Sequence, residues 1–381
     1  MIDLFAGVGG MSLGAARAGF EVKCAVELDD IAISSHEMNF PQAFHIKYDV
    51  SKLKGEELLR TLSLRKGEVD GVIGGPPCQG FSSIGKRHIK DLRNDLFIHF
   101  HRLVSEIQPK FFVAENVPGI LDERYDSIRL IARELVSSDY KLFEPVKINA
   151  KDIGVPTNRT RVFFVGIHRS LPNISLGVDY SDECFHEKIT LVRDGLAGLP
   201  VNVEIPRDSS RHLWRELEEY KENNYPSKIS RLIDGVGHEE SIERYIKNRE
   251  ITGNIGTAHS MIVSERFSQL LPGQIDLISR AQRLDPNGFC PTLRAGTGKE
   301  RGSYQAVRPI HPIQPRVITP REAARMQGFP DWFQFHPTKW HSFRQIGNSV
   351  SPIVSEYLMR SIYDSIFFLK KHSKEFVEVT L

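Results

Sequence analysis

Short apolar runs alternate with helix-length segments along the chain as far as Ile167. Runs at 2–6, 22–26, 44–46, 69–73, 110–114 and 161–167 have the length and bounding turn residues of buried strands. Between them lie helical patterns at 11–18, 56–64, 96–107 and 127–136. In the third, Leu96, Phe100, Leu103, Val104 and Ile107 fall on one face. Strand and helix in alternation predict an α/β fold: a mostly parallel sheet with helices on both faces. After Ile167 the pattern changes. Residues 171–314 carry scattered prolines, charged runs such as Arg215-Glu216-Leu217-Glu218-Glu219-Tyr220-Lys221-Glu222, and few clear strands. This stretch reads as a smaller second lobe with a charged, helical insertion. A last apolar pattern at 357–369 (Leu358, Ile362, Ile366, Phe367) predicts a closing helix that returns to the first domain. The expected organisation is therefore 1–167 completed by 337–381, with 168–336 as the second domain.

Composition narrows the class without changing this picture. The chain has 381 residues, 40% hydrophobic and 26% charged, as expected of a soluble enzyme of one large or two unequal domains. No apolar stretch reaches the length of a membrane span. The first residues run straight into a glycine-rich turn, so neither a signal peptide nor an amino-terminal regulatory module is expected. Cys24, Cys78, Cys184 and Cys290 are widely scattered. That spacing suggests no disulfide framework and no zinc or other metal site, and a reducing cytoplasmic setting. A net charge of +2 neither requires nor excludes nucleic acid, because binding needs only a local basic surface.

Chemistry-bearing residues sit at the predicted strand ends. Gly74-Gly75-Pro76-Pro77 cannot continue strand or helix, so Cys78 is presented just beyond a strand's carboxyl end, where ligands gather in open α/β sheets. It is the candidate nucleophile. The loop Asp3-Leu4-Phe5-Ala6-Gly7-Val8-Gly9-Gly10 follows the first strand. Ser12 occupies the third glycine position of a dinucleotide fingerprint, which argues against a nicotinamide cofactor. Glu27 ends the second strand, where a carboxylate accepts ribose hydroxyls, and Asp49 follows the third, where it accepts from an adenine amino group. Glycine loop, Glu and Asp in that order describe a nucleoside site without a phosphate clamp. S-adenosylmethionine fits it, with Phe5 offering a ring to the sulfonium. Glu115 ends the run Phe111-Phe112-Val113-Ala114 before a Pro-Gly turn and should project into the same crevice as Cys78; burial would raise its pKa. Arg159 and Arg161 alternate into a strand and so share one side of it, placing two guanidiniums beside thiol and acid.

Together these residues resemble the DNA (cytosine-5) methyltransferases of prokaryotic restriction–modification systems, in the family's order and over nearly the whole chain. The glycine loop, Glu27, Asp49, Gly75-Pro76-Pro77-Cys78-Gln79, Glu115-Asn116-Val117 and Arg159-Thr160-Arg161 have counterparts. So do Arg316-Val317-Ile318-Thr319-Pro320-Arg321-Glu322-Ala323-Ala324-Arg325-Met326-Gln327-Gly328-Phe329-Pro330 and Gln345-Ile346-Gly347-Asn348-Ser349-Val350. The resemblance implies a methyltransferase (Rossmann-like) catalytic domain and a target-recognition domain. It implies that Cys78 adds to carbon 6 of a flipped-out cytosine in a specific double-stranded DNA sequence. Glu115 would engage ring nitrogen 3, Arg161 oxygen 2, with Arg159 beside it, and carbon 5 would take a methyl group from S-adenosylmethionine. Phe5, Gly7, Gly9, Glu27, Asp49, Pro76, Asn348 and Ser349 would form the cofactor site. The basic loop 80–94, with Ser82, Lys86 and Arg93, would contact DNA, as would Thr292 and Arg294 in the second lobe. A monomer in the cytoplasm, associated with the nucleoid through DNA, is expected, with a cognate restriction endonuclease as a further partner to consider. Thr157 departs from the glutamine usual there. Two alternatives stand beside this reading: a transfer-RNA cytosine-5 methyltransferase, whose Cys-Phe-Thr signature is absent here, and a non-catalytic DNA-binding adaptor.

Overall fold

A computed structural model describes residues 1–77, 95–171, 189–205, 212–220, 225–296 and 307–375. The chain begins β1 (Ile2–Leu4), α1 (Gly10–Arg17), β2 (Cys24–Glu27), α2 (Asp30–Asn39), β3 (Phe44–Lys47), α3 (Gly55–Thr61) and β4 (Gly71–Gly74). It continues α4 (Asp95–Ile107), β5 (Phe111–Asn116), α5 (Asp126–Glu134), β6 (Tyr140–Leu142), β7 (Val146–Asn149), β8 (Thr157–Asn158) and β9 (Thr160–His168). The sheet order is β3-β2-β1-β4-β5-β9-β6, with β7 also on β9. From β3 to β5 every pairing is parallel, and β9 runs antiparallel to its three neighbours.

Central strands buried along their whole length account for the uninterrupted apolar runs: β5 has no exposed position. One face is covered by α1 and the last helix, through Met11, Ala15, Leu358 and Ile362. The other is covered by α4: of its predicted stripe Phe100, Leu103, Val104 and Ile107 are completely buried, Leu96 is half-buried, and Phe97 is buried beside them. Strand order reverses between β1 and β4, so the crevice beyond their carboxyl ends is the expected ligand position. The glycine loop follows one of these strands and Gly75-Pro76-Pro77 the other. Helix α2 was not evident from the pattern, because its interior is polar. It is started by Asp29, whose carboxylate accepts from the backbone N–H groups of Ile31 and Ala32.

Beyond β9 follow α6 (Val192–Leu196), β10 (Arg215–Glu216), α7 (Tyr225–Ile229), α8 (Glu239–Asn248), β11 (Glu250–Ile251), α9 (Met261–Ser268) and β12 (Cys290–Pro291). The chain ends with α10 (Pro320–Met326), α11 (Lys339–Asn348) and α12 (Pro352–Glu375). The charged run from Arg215 was expected to be helical. Its first two residues, Arg215 and Glu216, form a short strand instead, β10, antiparallel to β11. Leu217 and Tyr220 pack there with Leu199 and Ile251, and that burial overrides the helix-forming charge pattern. The segment around α10 is core: Ala323, Met326, Phe329 and Trp332 share a cluster with Val8, Leu13 and Phe40 of the first domain. Arg325 and Asp331, both fully buried, pair there in bidentate geometry at 2.8 Å. Among the described residues, no helix is long and apolar enough to cross a membrane.

Candidate active site

The glycine loop is shaped by close approach. Gly9 has φ of 100°, and a Cβ there would lie 2.4 Å from the Phe40 ring. A Cβ on Gly10 would lie 2.3 Å from the Val350 carbonyl oxygen. No larger residue fits either position, and the contact brings the loop against the Asn348–Val350 turn. Gly7 also has positive φ, yet a Cβ there would meet nothing within 4 Å, so its outer side is open to a ligand. Phe5 adopts φ of 62°, a strained conformation for a bulky side chain, costing on the order of 1–3 kcal/mol. Ser12, the residue that breaks the dinucleotide fingerprint, donates to Asp3 at 2.6 Å and lies 3.0 Å from His36 Nε2. Burial pushes the Asp3 carboxyl up to about 7. The serine thus ties β1 to α1 and α2 where a dinucleotide fold would have a third glycine.

Glu27 accepts from Gly7 N–H at 2.9 Å, Leu28 N–H at 2.8 Å and Asp29 N–H at 2.9 Å. Burial raises its pKa, and the three backbone donors oppose the shift. Asp49 sits at the end of β3, its Oδ1 held by the hydroxyl and N–H of Ser51, which lower its pKa. Leu28, missed in the sequence, is 59% exposed directly beside Glu27. An exposed leucine beside a strand-end carboxylate offers an apolar face to a flat ring, and its only sequence signal was its place after Glu27. Asn348 is exposed at the end of α11. The Ser349 hydroxyl donates to Gln345 O at 2.7 Å, within the helix end. Pro76 is buried at the start of the turn after β4. Two carboxylates at successive strand ends, an open glycine turn and an exposed apolar face fit the nucleoside of S-adenosylmethionine. Glu27→Ala is expected to weaken binding of that cofactor by roughly 1.5–3 kcal/mol, the value of hydrogen bonds to a charged group. Calorimetry would check it, and unchanged affinity would remove Glu27 from the ribose site.

The second half of the site gathers at β5 and β9. Glu115 is buried at the end of β5, and its Oε1 lies 2.7 Å from Arg161 Nε. Its Oε2 faces Gly75, where a Cβ would come within 3.0 Å. The carboxyl therefore touches the turn three residues before Cys78. Burial raises its pKa, and Arg161 and Arg159 pull it back less strongly. Both arginines act on Glu115, as alternation predicted, but their hydrogen bonds diverge. Arg161 donates from Nη1 to Thr160 O at 2.8 Å. Arg159, buried, donates to the carbonyls of Leu293, Gly347 and Ser349 at 2.9–3.0 Å. Burial and Arg161 pull its pKa well down.

Thr157, in the glutamine position, is buried and donates to Cys290 O at 3.1 Å, fastening β8 to its parallel partner β12. One strand residue on, Thr292 donates its hydroxyl to Asn158 O at 2.8 Å, and Arg294 is exposed beyond it. Cys78, Ser82, Lys86 and Arg93 lie outside the described residues. Cys24 and Cys290 are buried free thiols whose pKa values burial raises, Cys24 up to about 12. Neither has the character of a nucleophile.

Strand-end carboxylates and a buried acid–arginine pair thus gather at one end of an open α/β sheet. The chain matches the model of the C-5 cytosine-specific DNA methylase family over residues 1–364, and it belongs to that family. It is 38% identical to the Type II methyltransferase M.XorII of Xanthomonas oryzae pv. oryzae, over 93% of this chain and 82% of that relative. Among solved structures it resembles a proposed DNA modification methyltransferase encoded within an Escherichia coli prophage. That likeness has a TM-score of 0.84 and 51% identity, covering 96% of this chain and 99% of the other. The Dnmt2 methyltransferase of S. pombe shares the fold at a TM-score of 0.58 and 17% identity, over 94% and 96% of the two chains.

Proposed function

We propose that this chain methylates carbon 5 of one cytosine in a specific double-stranded DNA sequence, as the modification enzyme of a type II restriction–modification system. The observation that carries the chemistry is the Glu115 carboxyl, buried between Arg161 and the Gly75 turn. In this reading the Cys78 sulfur adds to carbon 6 of the cytosine. Glu115, whose pKa burial raises, delivers a proton to ring nitrogen 3, so the electron pair of the broken double bond settles as an enamine. Arg161 Nη2, which has no hydrogen-bond partner among the described residues, is free to hold oxygen 2. S-adenosylmethionine, when bound, supplies an electrophilic methyl group to carbon 5. The carbon-5 proton then passes to solvent, its electron pair reforms the 5,6 double bond, nitrogen 3 returns its proton to Glu115, and Cys78 leaves with the electron pair of the carbon–sulfur bond. The target base must leave the stack first, at a cost of a few kcal/mol.

Within this reading residues 168–336 choose the sequence, and Arg159 acts as the clamp that fixes that lobe to the cofactor rim. It touches three carbonyls and leaves the base to Arg161. The test is methyl transfer to duplex DNA and to transfer RNA in parallel, followed by base-resolution mapping of DNA from cells expressing the protein. Methylation of one cytosine in a fixed DNA sequence is expected. Transfer to RNA alone, or none to either, would overturn the reading.

A further inference from the structure

Lys339, Phe343 and Gly347 stand four residues apart on α11 and so share one face of it. At Gly347 this face meets the chain at Arg294 and Ala295: a Cβ there would lie 2.7 Å from the Ala295 nitrogen. One turn earlier, the Arg308 guanidinium lies 4.0 Å above the Phe343 ring. A turn before that, Lys339 donates to Gly256 O at 2.6 Å. The chain on both sides of residues 297–306 thus lies along one helix face, carrying Arg294 at one end and the pair Arg308 and Lys339 at the other. Both members of the pair are half-buried. Among the described residues neither has a carboxylate partner, and Arg308 has no hydrogen bond. Burial lowers the pKa of each, and Arg308 lowers that of Lys339 further. Two cations held together, partly dehydrated and without a counter-ion, are unfavourable until an anion joins them.

We infer that Arg308 and Lys339 form a binding site for a backbone phosphate of the DNA substrate. This rests on the reading of the second lobe as the DNA-choosing one. The eight steps from Lys339 to Gly347 rise about 12 Å along the helix. At about 3.4 Å per nucleotide, that spans roughly three steps of one strand. That separation suits two contacts to one strand, and a phosphodiester supplies the missing negative charge without a base contact.

The test is the salt dependence of binding to a duplex that the wild-type protein methylates, compared with Lys339→Gln, Arg308→Gln and, as a control, the exposed Lys66→Gln. Each of the first two is expected to weaken binding several-fold, raise KM for DNA more than it lowers kcat, and flatten the log K against log salt slope by about 1. The control should leave slope and KM unchanged. Arg308→Gln also removes a contact with Phe343, so Lys339→Gln, which removes none with a ring, separates charge from packing. Weaker binding with an unaltered slope in both variants would make the pair structural and overturn the inference. A wild-type protein that binds and methylates no duplex DNA would instead defeat the functional reading itself.

Discussion

Cys78→Ser is expected to abolish methyl transfer and, with it, the covalent trapping of the protein on DNA carrying 5-fluorocytosine at the target. Fluorine stands where the departing proton must be, so an enzyme that has added its nucleophile cannot complete the reaction and stays attached. A thiol with a pKa of about 8.5 supplies some thiolate at neutral pH, and a serine hydroxyl supplies essentially none. The two cysteines in the described core offer no substitute, because burial suppresses the thiolate of both Cys24 and Cys290. DNA binding should persist, since phosphate contacts do not depend on the sulfur. Denaturing electrophoresis of the trapped complex gives the answer directly: trapping by the Cys78→Ser protein at the wild-type rate would exclude this cysteine as the nucleophile.

The largest effect on stability is expected at Arg325. Its guanidinium and the Asp331 carboxylate form a fully buried bidentate pair, and Arg325 also donates to carbonyls of α6 and the residue after it. Arg325→Leu leaves a carboxylate in the core without its counter-ion, which costs about 3–5 kcal/mol. Removing both charges in Arg325→Leu/Asp331→Leu should recover much of that loss, since the desolvation penalty disappears with the ions. Urea denaturation measures both, and a loss below about 1 kcal/mol for the single variant would show that water reaches the pair.

The catalytic half of this molecule was readable because its rules are local. Strand runs at 2–6, 69–73 and 110–114 coincide with β1, β4 and β5 within a few residues, since parallel strands buried on both faces must be apolar throughout. Glu27 and Glu115 were legible for the same reason, each a lone acid closing such a run. The second lobe resisted because its elements are short and depend on distant partners. β10 exists only through pairing with β11, and its charged residues carry the pattern of a solvated helix. Arg159 shows the limit most clearly. Alternation put it on the side of Glu115, but its three acceptors lie 134 to 190 residues further along the chain. No local pattern announces a contact of that separation.

That clamp bears on how such an enzyme can change its target without losing its chemistry. Arg159 donates to Leu293 O, Thr157 to Cys290 O and Arg17 to Ile229 O, beside an apolar cluster in which Val192, Leu284 and Leu293 pack with Val8, Leu13 and Phe40. All three acceptors are main-chain carbonyls, which every amino acid supplies. In the proposed reading, exposed side chains beside these contacts, Arg294 among them, can change without disturbing the carbonyls, so a new specificity needs no movement of the reacting groups.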